Sequence, residues 1–498
     1  QENVKVICEK QEELRAVCGK EKRAYELCLA KPELLEIGYE IAGDRIEEAI
    51  YAPSKVERQK KVGALRDEVE AAIKERHPEA TDFDVEQVFE YIQKKAFRIS
   101  IMEKDKRADG RALKQLRPLT AEVNVLPPVV HGSAMFARGE TMSLCLATLA
   151  PMEERQYMDN YTGSVNEKRF ILHYNFPPFS VGDTGRFGGQ NRREIGHGAL
   201  AERSIAPVVP GEQEFPYAIR VSSEIMESNG STSMASVCAG TMSLLAAGVP
   251  LKRPVAGISV GLVTEQNDQH EITSYKTLLD IIGSEDFYGD MDFKLCGTSE
   301  GVTGYQLDLK LPGIPIDLLC EGMERNRIAR LKILDVIEAC IPAPRPEVSS
   351  RAPRLEVIQI NPEKIGALIG PGGKNIRAIT EETGTSIDIE EDGSVKIMAP
   401  DKAHLEAAKE RILGSTAEAE IGKIYRGKVV TIRDFGAFVE ILPGVDGLLH
   451  ISEMADYRVN KVTDICEEGQ YVTVKVIDID QSGKIRLSRK AALKELGE

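Results

Sequence analysis

Ile369-Gly370-Pro371-Gly372-Gly373-Lys374 lies between an apolar run, residues 365–369, and a helical run that opens at Asn375. Gly370 and Gly373 let another backbone approach the loop closely. The helix that follows turns free N–H groups and the positive end of its dipole toward whatever sits there. Lys374 and Arg377 add positive charge one turn apart. A glycine loop alone reads most simply as a turn. Its surroundings change that reading, because residues 354–414 follow the order strand, helix, Gly-rich loop, helix, strand, strand, helix.

In that setting the loop resembles the backbone clamp of a KH domain, a module that holds about four nucleotides. The resemblance implies RNA contacts from Gly370, Gly372, Gly373, Lys374 and Arg377. Outward on the C-terminal side, residues 421–490 read as five short strands separated by Gly, Pro and Asp turns, the pattern of a small β-barrel. Phe435 and Phe438 flank a glycine that reads as a bulge, which would turn both rings outward. A lone Phe-x-x-Phe pair is otherwise core material. His450, Lys484 and Arg486 complete a basic, aromatic set suited to stacking bases of any sequence. The unit resembles the OB-fold RNA-binding domain of the S-one type, in which the matching aromatics and His lie on the RNA face.

Toward the N-terminus, the Pro-rich stretch 341–353 reads as a linker. Residues 107–345 mix strand patterns (142–150, 217–225, 255–263) with helical ones (233–248, 327–341), as in an α/β domain of ordinary size. Residues 1–100 read as helices that pack and carry no chemistry. Val62, Leu65, Val69 and Ile73, then Val85, Val88, Phe89 and Ile92, recur at helical spacing. Thr81 or Asp82 would cap the second helix. The fold class expected is thus multidomain α/β: an all-α segment, an α/β catalytic domain, a KH-like domain and an OB-type barrel.

Composition bounds the partners. The net charge of −15 fits a bulk nucleic-acid binder poorly, so RNA contacts must come from local placement of basic and aromatic groups. None of the nine cysteines forms a C-x-x-C pair, so they read as reduced thiols of a cytoplasmic protein, not a zinc site. No apolar run approaches the ~20 residues of a membrane span, and no membrane partner is expected. The N-terminus carries no signal-peptide pattern and no initiator Met, and reads as the start of a processed chain or a fragment.

Three constellations in the α/β region carry chemistry. Glu227-Ser228-Asn229-Gly230-Ser231-Thr232-Ser233 brings three hydroxyls and free N–H groups to a helix N-terminus, suited to inorganic phosphate or, more simply, to capping. Arg192, Arg193 and His197 open another helix if it begins near 193; Arg193 and His197 would share a face, where a guanidinium can hold phosphate and an imidazole can move a proton, or the stretch is, more simply, a solvated charged turn. Asp280 precedes a third set, in which an extended 290–294 would turn Asp290, Asp292 and Lys294 to one side. Asp286 would join them from a turn, the alternative being a plain exposed acidic turn. Carboxylates gathered this way repel one another unless a cation such as Mg²⁺ sits among them.

Together with Arg107-Ala108-Asp109-Gly110-Arg111 and the segments 131–141 and 173–186, these constellations resemble the second ribonuclease-PH domain of the polynucleotide phosphorylase family. So does the order of parts along essentially the whole chain. The resemblance implies processive 3′→5′ phosphorolysis of single-stranded RNA in mRNA degradation, with inorganic phosphate consumed, nucleoside diphosphates released, and the reverse polymerisation available. It implies that Ser231, Thr232 and Ser233 hold phosphate, and that Asp286 and Asp292 bind Mg²⁺ or Mn²⁺. Arg192, Arg193, His197 and Lys294 would surround the reacting phosphates. His197 or Asp292 would protonate the leaving oxygen. The family usually has Ser where this chain has Thr232, which keeps a hydroxyl. It also has an earlier ribonuclease-PH domain, which would precede residue 1, and it implies a homotrimer and RNA-degradosome proteins as partners. A hydrolytic 3′ exonuclease and a non-catalytic RNA-binding scaffold are the rival readings.

Overall fold

The computed structural model describes residues 2–496 apart from 26, 53, 160–164, 187, 417–418, 443–444 and 481–483. The chain opens with α1 (Glu2–Cys18), α2 (Pro32–Ala42), α3 (Arg45–Ile50), α4 (Lys55–Arg76) and α5 (Asp82–Met102). Leu65, Val69 and Ile73 of α4 and Val85, Val88, Phe89 and Ile92 of α5 are buried with Leu34 and Ile37 of α2. Their three- and four-residue spacing makes a single apolar stripe on each helix. Thr81 caps α5, in a capping box with Asp84.

Two sheets follow. Their strands are β1 (Leu119–Val123), β2 (Gly132–Arg138), β3 (Met142–Ala150), β4 (Gln156–Asp159), β5 (Val165–Lys168), β6 (Phe170–Asn175), β7 (Ala218–Glu227), β8 (Ala256–Gln266), β9 (Ile272–Leu279), β10 (Met291–Gly297) and β11 (Val302–Leu309). One sheet runs β1-β2-β3-β7-β6 and the other β11-β10-β8-β9, while β4 and β5 form a separate hairpin. Helices α6 (Arg192–Ile205), α7 (Thr232–Ala246), α8 (Gly283–Tyr288) and α9 (Ile316–Cys340) complete the region. Every residue of α7 is buried, and it packs on β2 and β3 of one sheet and β8 of the other. Its small residues on all sides suit a helix with no solvent face.

Helix α9 begins eleven residues before the expected 327. Gly322 and Asn326 occupy buried positions where an apolar residue would have extended the periodic pattern, and Asn326 Nδ2 donates to Ile258 O at 2.7 Å. The Pro-rich stretch is not a free linker. Arg345 N donates to Leu245 O, Ala352 is fully buried, and Tyr217 Oη donates to Pro353 O at 2.8 Å.

Beyond it, β12 (Arg354–Gln359), α10 (Ile365–Ile369), α11 (Lys374–Thr383), β13 (Ser386–Ile389), β14 (Ser394–Ala399) and α12 (Lys402–Thr416) build a three-stranded sheet, β12-β14-β13, backed by helices. Then β15 (Ile424–Arg433), β16 (Gly436–Leu442), β17 (Val445–His450), β18 (Tyr471–Ile479) and β19 (Ile485–Ser488) close into a barrel, followed by α13 (Arg489–Leu496). Among the described residues no helix is long and apolar enough to cross a membrane.

Candidate active site and RNA-facing surfaces

The first turn of α7, the face of α6, strand β10, helix α8 and the start of α4 surround one cavity of about 730 Å³. Its floor is the loop before α7. Gly230 has φ +92°, and a side chain there would meet Ile281 O at 2.6 Å, so only glycine fits. Ser231 is left-handed, with φ +53°. The loop carbonyls are tied down on the side away from the cavity. Asn229 O accepts from Arg117 Nη1 at 2.8 Å, Gly230 O from Thr141 Oγ1 at 3.1 Å and Ser231 O from Arg138 Nη2 at 3.1 Å. In a trans peptide the N–H points opposite to the preceding C=O. The amides of Gly230, Ser231 and Thr232 therefore face away from Arg117, Thr141 and Arg138, none of which lines the cavity, and toward the cavity side.

The Ser231 and Ser233 hydroxyls are buried and have no hydrogen-bond partner among the described residues; Ser231 makes no side-chain cap. Ser231 and Thr232 line the cavity, and Ser233 lies fully buried just behind them. Thr232 Oγ1 pairs with Tyr174 Oη at 2.6 Å, and Tyr174 Oη lies 3.3 Å from His197 Nδ1. A line of hydrogen bonds thus joins the loop to α6. Asn191 caps α6 in a capping box with Glu194. Arg193 and His197 both line the cavity, and the Arg193 guanidinium sits 5.1 Å over the Phe176 ring. Arg192 is exposed and lies outside the lining. Burial, reinforced by the charges of Lys294 and Arg193, holds the His197 imidazole down to about 4, so it is neutral at neutral pH.

Asp286 on α8 and Asp292 and Lys294 on β10 line the same cavity. Asp292 Oδ2 accepts from Lys294 Nζ, while its buried Oδ1 receives no hydrogen bond among the described residues. Burial raises the Asp292 carboxyl above its usual range against the pull of Lys294, and Asp286 adds repulsion. No group of three or more His, Cys, Asp or Glu among the described residues stands close enough to cage a metal. Two carboxylates, one with an unpartnered oxygen, nevertheless suit Mg²⁺, which keeps waters and phosphate oxygens in its remaining positions.

Two members of the acidic constellation stand elsewhere. Asp290 does not face the cavity. Arg98 of α5 grips both its oxygens at 2.9 Å, and Thr264 donates to it from N and Oγ1. Asp280 is fully buried among Arg111, Arg117 and Arg138. Asp286 comes from a helix, not a turn.

The helical segment, expected only to pack, contributes Lys55, Arg58 and Gln59 to the cavity wall. Lys55 Nζ donates to Ser228 O at 2.9 Å. A signal was present: two cations in the first turn of a helix oppose its dipole, which needs another reason for them. Asp308, opposite Asp292 on β11, and Lys310, which donates to the carbonyls of Asp286 and Phe287, also line the cavity and carry no local motif.

In the KH-like unit Gly370, Gly372 and Gly373 all have positive φ. Lys374 opens α11 exposed, while Arg377 folds back, donating to Gly372 O and, through Nε, to Gly373 O at 3.1 Å. On the barrel, Phe438, Leu448 and Arg486 lie side by side across β16, β17 and β19, and His450 pairs with Gly436 two residues along the same face. Exposed Lys484 precedes β19. Gly436 is no bulge: a side chain there would meet Leu449 O at 2.5 Å, so the glycine serves close strand approach. Phe435 is 48% exposed, but Phe438 is half-buried, its ring edge-on to Phe435 at 6.5 Å.

Four family models match the chain. Residues 33–112 match the polyribonucleotide nucleotidyltransferase RNA binding domain, and residues 115–250 match the 3′ exoribonuclease family, domain 1. Residues 355–414 match the KH domain and 418–490 the S1 RNA binding domain. The chain is 80% identical over 495 residues to the polyribonucleotide nucleotidyltransferase of Akkermansia muciniphila, covering 99% of the chain and 69% of that relative. It is 50% and 51% identical to proteins of the same name from Methylacidiphilum infernorum and Opitutus terrae, with 99% of the chain and 70% of each relative covered.

Proposed function

The chain belongs to the polyribonucleotide nucleotidyltransferase family, and from that premise we propose that this cavity shortens single-stranded RNA from the 3′ end by phosphorolysis. The observation that carries the reading is the pair of buried, unpartnered hydroxyls on Ser231 and Ser233, beside amides turned to a cavity that Asp286, Asp292 and Lys294 also line. A second phosphate site of this kind favours phosphorolysis over hydrolysis, which needs only water as the nucleophile. Phosphate seats on Ser231, Thr232 and Ser233, with Arg193 from α6. One phosphate oxygen attacks the phosphorus of the last phosphodiester, the bond to the neighbouring 3′ oxygen breaks, and a nucleoside diphosphate leaves. Lys294 faces the charge that develops on the phosphoryl oxygens. Asp286 and Asp292 would hold Mg²⁺ or Mn²⁺, which supplies Lewis-acid neutralisation of that charge. Burial keeps His197 neutral, with help from the Lys294 and Arg193 charges; a bound phosphate dianion offsets the charge part, which raises the affinity of His197 for a proton that it would deliver to the leaving oxygen. Arg192, exposed at the helix start, would meet the incoming strand.

The KH-like loop (Gly370, Gly372, Gly373, Lys374, Arg377) and the barrel face (Phe435, Phe438, His450, Lys484, Arg486) hold RNA upstream and make the reaction processive. We take the division of labour to be 1–100 helical, 107–345 catalytic, and 354–414 and 421–490 RNA-binding. The reading extends to a cytoplasmic homotrimer that meets other RNA-decay proteins in mRNA degradation. The deciding experiment measures products from poly(A) and Mg²⁺ with and without inorganic phosphate. Nucleoside diphosphates formed only with phosphate are the expected result. Nucleoside monophosphates without phosphate would mean hydrolysis.

A further inference from the structure

Beneath the loop that precedes α7 lies a buried charge cluster that the reaction as described does not use. Arg107 pairs with Glu285, with Nη2 2.5 Å from Oε2 and both side chains fully buried. Arg111 pairs with Asp109 and Asp280. Arg117 Nη2 donates to Asp280 Oδ1 at 2.7 Å, and its backbone N to Oδ2 at 2.8 Å. Arg138 Nε lies 2.7 Å from Asp280 Oδ1. Four guanidiniums therefore face three carboxylates, and one positive charge is left over.

The cluster locates the surplus on Arg138. Its side chain is fully buried, its Nε is off the line of a hydrogen bond to Asp280, and its Nη1 donates to nothing among the described residues. Its one good hydrogen bond, from Nη2, goes to Ser231 O. That carbonyl is the one whose peptide turns the Thr232 amide toward the cavity. The residue is also the end of β2, in antiparallel register with Leu119, so the guanidinium rides on a rigid strand. Burial lowers its proton affinity, yet only to about 10, so it stays charged.

Resting on the phosphate-cradle reading above, we infer that Arg138 is a positioning residue for inorganic phosphate: it fixes the Ser231 peptide from below and backs the cradle with a buried charge that Asp280, shared with Arg111 and Arg117, compensates only in part. An anion above the loop and a cation under it are separated by one peptide layer of low dielectric, where charges act more strongly than in water. The buried cation costs desolvation that Asp280 repays only in part. Phosphate supplies the missing counter-charge.

The test uses the whole chain and inorganic phosphate as the probe. Phosphate-induced rises in the thermal midpoint are measured for the parent, Arg138→Met and Arg138→Lys. The midpoint without phosphate reports folding, and binding of a single-stranded RNA 12-mer reports the KH-like and barrel units. Arg138→Met should weaken phosphate at least tenfold. Arg138→Lys keeps the charge and loses the fork to Ser231, and should weaken phosphate about threefold. RNA affinity should be unchanged in both. If Arg138→Met does not fold, the lysine variant decides alone. Parental phosphate affinity in either folded variant would overturn the inference. A parent that phosphate does not stabilise would overturn the cradle itself, and Arg138 with it.

Discussion

His197 shows how a single residue takes its chemistry from its neighbours. Buried beside Lys294 and Arg193, its imidazole is held down to about 4. Its folded value lies below the unfolded ~6.5, so a proton taken up between those limits favours the unfolded chain. A bound phosphate reverses part of that bias. The ring resonances of His197 should therefore titrate near 4 without phosphate and well above that with it; a midpoint that phosphate leaves in place would remove His197 from the proton path. Asp292 is the second residue whose surroundings decide its role. Asp292→Ala should lower nucleoside diphosphate release by about 10²–10³, the order seen when one electrostatic stabiliser is removed, while RNA binding stays intact. Unchanged RNA decay would exclude it from the metal site. Both residues were legible in the sequence as members of constellations. Asp290 was not separable from Asp292, because alternation along a strand says which side a residue takes and not which arginine waits there.

Among the elements, those with one buried face were the easiest to read. β3 runs over the nine residues its pattern marks, and the stripes of α4 and α5 follow their spacing. α9 was foreshortened because glycine and asparagine stand in its buried row. The cavity wall formed by α4 was missed for a different reason. Lys55, Arg58 and Gln59 reach the site through the docking of one unit on another, which no local period records. The barrel yields a prediction on its own scale. Phe435 is the exposed ring of the pair, so Phe435→Ala should cost about 1–3 kcal/mol of single-stranded RNA binding, the worth of one stacked base. Phe438→Ala should lower the melting temperature as well, since half that ring is packed. Fluorescence anisotropy with a labelled oligonucleotide, set beside thermal melts, separates the two. Equal loss of RNA affinity without loss of stability in both variants would contradict the division.

At the scale of the whole molecule, the buried cluster around Asp280 governs acid stability. Burial alone would raise its carboxyl, but Arg138 and Arg117 outweigh that and hold it below the usual carboxylate range. A depressed folded value means stability that is present above the unfolded ~3.9 and lost as pH falls through the folded value. Urea midpoints should therefore ease below about pH 6.5, where the unfolded chain takes up the proton that His197 refuses, and fall more steeply below about pH 4 as Asp280 loses its advantage. Asp280→Asn, which leaves buried arginines unpaired, should cost about 3–5 kcal/mol at pH 7 and flatten the acid limb; an unaltered limb would mean that other carboxylates set it. The net charge of −15 sets a second global property: RNA affinity should fall with added salt less steeply than for a strongly basic binder. The strap formed by residues 341–353 acts at this scale too. Its Ala352 is sealed in the catalytic region and Pro353 is tethered by Tyr217, one residue before β12 begins. The KH-like unit is thus mounted on the α/β region and does not trail from it, and under the proposed division of labour the offset between loop and cavity would work as a caliper: a strand long enough to bridge the two would be gripped at both ends, and one trimmed below that gap would be let go.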